Sequence, residues 1–340
     1  MGATTRRVVV TQRFFDDGTI AYLEQNGCTV VQADLPEGQA DGNLSHDELT
    51  GALAGAAGWI VGHARVTREL MAALPALEVI SRRGVGYDRV DLQAAADLGK
   101  VVCIAAGGND ASVADHTIAL MLAVGHRFRE TQANMVAGNW AILIGRDLFR
   151  QTVGIVGLGR IGRSLVQRLS GFDVDILVVD NKRDETFAAA NGVAYVDLET
   201  LLRESDYVSI HAPLTAETRF MFNAETIAKM KKGAVLINAA RGGLVDDRAL
   251  LDALKSGHLA GAGLDTFLSE SDPQTKAVTE ELIRLPNVIA TPHAAASTRE
   301  GLDRTNLVAA QCVVAVLDGL TPPAACVVAD GRKSAALERN

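Results

Sequence analysis

The stretch Thr152-Val153-Gly154-Ile155-Val156-Gly157-Leu158-Gly159-Arg160-Ile161-Gly162 decides how the rest of the chain is read. An apolar β-branched run leads directly into three glycines and an amphipathic stretch, which predicts strand, tight turn and helix. In that context Gly157 permits the turn, Gly159 lets backbone approach a pyrophosphate, and Gly162 lets helix and strand pack closely. The helix N-terminus then offers unpaired N–H groups and partial positive charge to phosphates. Asp180 ends the next apolar run, at the distance where a carboxylate meets ribose hydroxyls and disfavours a 2′-phosphate. The expected cofactor is NAD rather than NADP, although Asn181, Lys182 and Arg183 follow at once and partly offset that charge.

Working outward, strands are predicted at 152–156, 175–179, 194–196, 207–211, 234–238, 261–265 and 288–291, with helices between them. The first hundred residues alternate in the same way, with strands at 7–11, 29–33, 59–61, 78–81 and 101–104 and helices at 19–25, 47–54, 67–74 and 91–98. Residues 112–137 read as one or two long helices, 297–317 as a final helix, and the tail beyond Thr321-Pro322-Pro323 as partly disordered. Strict alternation calls for parallel sheets covered on both faces, hence an α/β protein of two doubly wound domains.

Composition agrees. A length of 340 residues with 48% hydrophobic and 22% charged residues belongs to folded globular proteins and excludes collagen-like and disordered classes. A net charge of −8 provides no field to attract a phosphate backbone, so no nucleic-acid partner is expected. No apolar run has membrane-helix length, and Met1–Arg7 does not open a signal-peptide core, so no membrane partner is expected. Cys28, Cys103, Cys312 and Cys326 lack disulfide or metal-ligand spacing, which points to a reducing, cytoplasmic setting and to no metal.

Three polar residues follow predicted strands, where open α/β sheets bind ligands. Arg241 precedes Gly242-Gly243 and presents a planar fork suited to a carboxylate; His293 follows Thr291-Pro292; Glu270 lies just past Gly263–Phe267, where it could orient the imidazole. Taken singly, Arg241 also fits a surface ion pair, His293 an ordinary loop, and Glu270 a solvated turn.

With these residues the chain resembles the D-isomer-specific 2-hydroxyacid dehydrogenase family. The markers are residues 84–91 (GVGYDRVD), 108–117 (GNDASVADHT), the Gly157 fingerprint, 211–215 (HAPLT), 238–246 (NAARGGLVD), 264–267 (LDTF) and 291–293 (TPH). The resemblance implies a flavodoxin-like substrate domain, residues 1–104 plus 299–340, with a Rossmann NAD-binding domain, residues 105–298, inserted into it. It implies hydride transfer between a small anionic 2-hydroxy acid and its 2-oxo acid, with His293 as acid/base, Glu270 paired to it, and Arg241 on the substrate. By the same resemblance Gly157, Gly159, Arg160, Ile161, Gly162, Asp180, His211, Ala212, Pro213, Thr218, Ala239, Ala240, Asp265 and Ala295 hold the cofactor, Asp265 through the nicotinamide carboxamide. Val85 and Gly86 hold the substrate carboxylate through backbone N–H groups, with Arg82 and His63 lining the pocket; Arg82 and Arg83 also fit a rim ion pair.

Where many relatives have Glu-Glu-Pro, this chain has Ser269-Glu270-Ser271-Asp272-Pro273, so a different path for that loop is expected. The stretch Val61–Thr67 lacks an aligned phosphate-binding arginine, which disfavours phosphoglycerate, and no C-terminal regulatory module is expected. His116, His126, His258 and His46 read as structural. Residues 112–150, with Trp140, resemble a dimerisation arm and imply a homodimer. The alternative class is an NAD(H)-sensing, corepressor-like binding protein on the same fold.

Overall fold

Val8, Val9 and Val10 are entirely inaccessible to solvent, as are Trp59, Ile60 and Val61, because each of these short runs is covered on both faces. The computed structural model describes residues 6–35 and 40–332. They divide into two units, one from the chain ends, up to Asn109 and from Ser297 onward, and one from Asp110–Ala296.

In the first unit β1 (Arg7–Val10), β2 (Thr29–Gln32), β3 (Gly58–Val61), β4 (Val79–Arg82) and β5 (Val101–Ile104) pair in parallel in the order β5-β4-β3-β1-β2. That is the flavodoxin-like order, with its switch point between β1 and β3. In the second unit β6 (Thr152–Val156), β7 (Asp175–Val179), β8 (Val193–Tyr195), β9 (Tyr207–Ile210), β10 (Val235–Asn238), β11 (Gly261–Leu264) and β12 (Val288–Ala290) form a seven-stranded parallel sheet. Its order, β12-β11-β10-β9-β6-β7-β8, is a Rossmann arrangement extended by one strand, with the switch point between β6 and β9. The α/β class and the inserted dinucleotide-binding unit are therefore as the sequence predicts.

Two expectations take a definite form. Among the described residues the tail carries a 3₁₀ turn, Ala324–Cys326, and then β13 (Val327–Asp330), an unforeseen strand that pairs antiparallel with the edge of β5. This strand runs antiparallel, so the parallel strand–helix alternation does not announce it, and the edge of β5 supplies the template. Residues 333–340 lie outside the described residues. The long helical stretch is two helices, Asp110–Gly125 and Phe128–Val136, broken where Arg127 adopts φ +55°. Residues 139–147 then form neither helix nor strand, leaving Trp140, Ile142 and Ile144 exposed.

The four cysteines are buried free thiols, and among the described residues no helix is long and apolar enough to cross a membrane.

Candidate active site

The glycine turn behaves as its chemistry requires. Gly157 has φ +100°, and a Cβ there would lie 2.7 Å from the His211 carbonyl carbon. Only glycine lets the loops after β6 and β9 meet at the switch point, and this explains how His211 and Ala212 belong to the site through their backbone. A Cβ on Gly162 would lie 2.3 Å from the Gly157 oxygen, whereas one on Gly159 would meet nothing within 4 Å. Gly159 thus borders open space at the start of the helix Arg160–Leu169, whose N-terminus has no side-chain cap. Uncapped N–H groups facing an open glycine fit a dinucleotide's phosphates. Asp180 accepts the Leu158 N–H at 2.6 Å and the Lys182 N–H at 2.7 Å, so its carboxylate is fixed beside the turn.

The structure brings several other residues of the sequence-based cofactor set close to this turn and one another. Ile161, Ala239 and Ala295 pack together with Val113 and Ala296, joining the glycine-turn helix, the end of β10 and the loop after β12. Arg160 is exposed and donates to Asp110 at 3.0 Å. The Thr218 hydroxyl donates to the Pro213 carbonyl at 2.7 Å, closing the turn after β9. Desolvation pushes the His211 imidazole down to about 4, so it is neutral at neutral pH, with Nε2 2.8 Å from the Ser209 hydroxyl.

Three successive strand ends present Arg241, Glu270 and His293. After β10, the buried Asn238 amide donates to the Arg241 carbonyl at 2.8 Å and its oxygen accepts the Ala240 N–H at 3.1 Å, bracing the turn that carries Arg241. A Cβ at Gly242 would lie 2.1 Å from the Phe267 carbonyl carbon, so glycine alone allows the Arg241 turn to lie against the loop after β11. There a 3₁₀ turn, Leu268–Glu270, brings Glu270 round so that Oε1 accepts the Phe267 N–H at 2.7 Å and Oε2 lies 2.6 Å from His293 Nδ1. The Ser269–Pro273 departure thus leaves the Glu270–His293 pair intact. Burial pushes the Glu270 carboxyl up, but the His293 hydrogen bond and charge, the Phe267 N–H and the Arg241 guanidinium outweigh it and hold Glu270 below the ordinary range.

Asp265, fully buried, is the anchor of the His293 loop. Its Oδ1 accepts from the Thr291 hydroxyl at 2.5 Å and the Ala294 N–H at 2.8 Å, and its Oδ2 accepts the Ala295 N–H at 2.9 Å. Three of about four acceptor directions are thereby used within the protein.

In the first unit, Arg82 closes β4 and is buried, and Val85 and Gly86 lie half-buried in the bend that follows. His63 follows β3; its N–H donates to Asp41 at 2.7 Å and its carbonyl accepts from Arg89 at 3.1 Å. Asp41, 1% exposed, also accepts from Thr11, Gln12 and the Gly62 N–H, tying together the loops after β1 and β3. Sequence reading missed Asp41 and the anchoring role of Thr291, because each acts on loops distant in sequence and leaves no periodic signal, and it gave Asn238 no part in bracing the Arg241 turn.

Asp247 was missed as well. Only 4% exposed, it accepts the Leu268 N–H at 3.2 Å beneath the Glu270 turn, and burial, with Asp246 and Glu270 nearby, pushes its carboxyl up to about 6. The folded chain therefore holds this proton where the unfolded chain has lost it, so the site lowers stability progressively as pH rises from about 4 to about 6. Asp247→Asn keeps the acceptor and removes the charge. It is expected to be more stable than the parent above pH 6 by on the order of 2–3 kcal/mol, and close to it near pH 4, as measured by urea unfolding. An equal difference at both pH values would remove the ionisation as the cause.

A glycine turn, an uncapped helix N-terminus and a carboxylate fixed beside them at a Rossmann switch point define a dinucleotide-binding protein. The chain belongs to the D-isomer specific 2-hydroxyacid dehydrogenase family, whose NAD binding domain its residues 118–295 match. It is 39% identical to a glyoxylate reductase of Korarchaeum cryptofilum, over 76% of this chain and 78% of that one. It is 37% identical to a D-3-phosphoglycerate dehydrogenase of Bacillus subtilis over 86% of its own length, but spans only 54% of that longer relative. The crystal structure of a D-lactate dehydrogenase from Aquifex aeolicus complexed with NAD and lactic acid superposes with a TM-score of 0.78 at 30% identity, covering 92% of this chain and 96% of that one.

Proposed function

We propose that the chain is an NAD-dependent dehydrogenase that interconverts a small 2-hydroxy acid and its 2-oxo acid, with His293 as the acid/base. The observation that carries this reading is the 2.6 Å His293–Glu270 bond, with the Arg241 guanidinium acting electrostatically on the same carboxylate, within a dinucleotide-binding unit. When bound, the nicotinamide accepts or supplies the hydride exchanged with C2 of the substrate. Glu270 engages Nδ1, so exchange of the hydroxyl proton falls to Nε2: His293 takes it in oxidation and returns it in reduction. Arg241 holds the substrate carboxylate and the charge developing on the 2-oxygen. The first unit, as substrate-binding domain, contributes Arg82, His63 and the Val85 and Gly86 backbone N–H groups.

NAD is favoured over NADP because the Asp180 carboxylate, fixed beside the glycine turn, would repel a 2′-phosphate, while Arg183 is drawn to its own neighbours, 5.3 Å over the Tyr195 ring and 3.9 Å from Glu185. The exposed Trp140, Ile142 and Ile144 support a two-fold dimer through this segment, and four free thiols suit a cytoplasmic setting. The test is a panel of glyoxylate, hydroxypyruvate, pyruvate and 3-phosphohydroxypyruvate with NADH and NADPH. Turnover of an unphosphorylated acid is expected, with kcat/KM at least about tenfold higher with NADH, the factor that roughly 1.4 kcal/mol of 2′-phosphate repulsion produces. Tight NADH binding without turnover of any oxo acid would favour a dinucleotide sensor instead.

A further inference from the structure

His116 lies on the helix Asp110–Gly125, just past the point where the chain enters the second unit. Its Nε2 is 3.0 Å from the Thr291 hydroxyl oxygen and 3.7 Å from Asp265 Oδ1. The directions of these bonds follow from proton counting. Both Asp265 carboxylate oxygens accept backbone N–H groups, and the single Thr291 hydroxyl proton goes to Oδ1 across 2.5 Å. Thr291 must then accept from His116, and Nε2 carries the proton.

The chain of donors ends on the carboxylate of Asp265, the residue whose carbonyl accepts the backbone N–H of His293. His293 has φ +53°, a left-handed conformation that is strained for a non-glycine residue. Its N–H reaches the Asp265 carbonyl at 2.8 Å and the Thr291 carbonyl at 3.1 Å, while Ala294 and Ala295 donate to the Asp265 carboxylate. The strained loop therefore stands on Thr291 and Asp265, and its far end, Ala296, is where the chain leaves the unit again.

We propose that His116 is a positioning residue: by donating from Nε2 to Thr291 it locks Thr291 against Asp265 and so holds the His293 loop in its strained conformation. The proposal rests on His293 being the acid/base and assigns His116 a part in the reaction beyond helix packing.

The test uses the full chain with His116→Leu, His116→Gln and Thr291→Val, glyoxylate and NADH as probes, and ¹⁵N-histidine spectra. His116→Leu and Thr291→Val are expected to lower kcat by about 10- to 100-fold, with KM and NADH affinity within about twofold of the parent. His116→Gln, whose amide can donate to Thr291 from a similar position, restores most of kcat. In the parent spectrum His116 is the Nε2–H tautomer, and the His293 Nδ1 proton resonance broadens in the leucine variant and sharpens again in the glutamine variant. An Nδ1–H tautomer at His116, or a leucine variant with unchanged kcat and an unchanged His293 resonance, would overturn the proposal. Undiminished turnover by His293→Ala would overturn the acid/base role itself, and the spectra, which need no turnover, separate that failure from this one.

Discussion

Replacing His293 with alanine will lower kcat by about 10²- to 10⁴-fold, the range for losing a general acid/base, while NADH still binds. Binding survives because the glycine turn, the uncapped helix N-terminus and Asp180 are supplied by the loops after β6 and β7, none of which takes a bond from the imidazole. Asparagine, which tolerates the left-handed conformation better than alanine, separates the lost proton transfer from a relaxed loop: both variants should be equally impaired. Glu270→Gln can still accept from Nδ1 but brings no charge to the pair, so kcat is expected to fall while NADH affinity stays within about twofold of the parent.

The folded pKa of the Glu270 carboxyl lies below the ordinary 4.5, so its pairing is in force above that value and is lost as pH falls through the lowered one. Combined with His293→Ala, Glu270→Gln should add little further loss, because the two act as a unit. Stopped-flow measurement of NADH oxidation across pH checks each outcome. A kcat within threefold of the parent in His293→Ala, roughly 0.6 kcal/mol, would end the assignment.

The second large effect belongs to Asp265. Asp265→Ala strands two backbone N–H groups and the Thr291 hydroxyl in a position with no solvent exposure. Each buried unsatisfied donor costs about 1–3 kcal/mol, and partial rehydration of the vacated space limits the sum, so a loss of roughly 3–5 kcal/mol in urea unfolding is expected. Released from its anchor, His293 relaxes from φ +53°, and kcat falls on the order of 100-fold even where the protein remains folded. Asp265→Asn keeps the volume but presents an amide N–H₂ where two acceptors stood, so it lies between the parent and alanine. Native stability in the alanine variant would mean that the carboxylate does not carry the loop.

Much of the fold was legible because it is written in local chemistry. Strand runs such as Val101–Ile104, Thr152–Val156 and Asp175–Val179 are recovered with the ends the sequence predicts, since turn and strand residues alternate sharply there. β13 was not legible, because its partner edge lies more than two hundred residues away.

The sequence by itself determined the alternation of strand and helix, the glycine positions that open the nucleotide turn, and the residue types available for acid, base and guanidinium chemistry. These depend on backbone sterics and side-chain functional groups, which each residue carries wherever it goes. Only the tertiary structure decided that Glu270 curls back through a 3₁₀ turn to meet His293, that Gly242 lets Arg241 lie against the Phe267 backbone, and that Asp265, Thr291 and His116 hold the loop between them. Hydrogen bonds and close contacts of this kind depend on distances between segments far apart in the chain, and packing alone sets those distances.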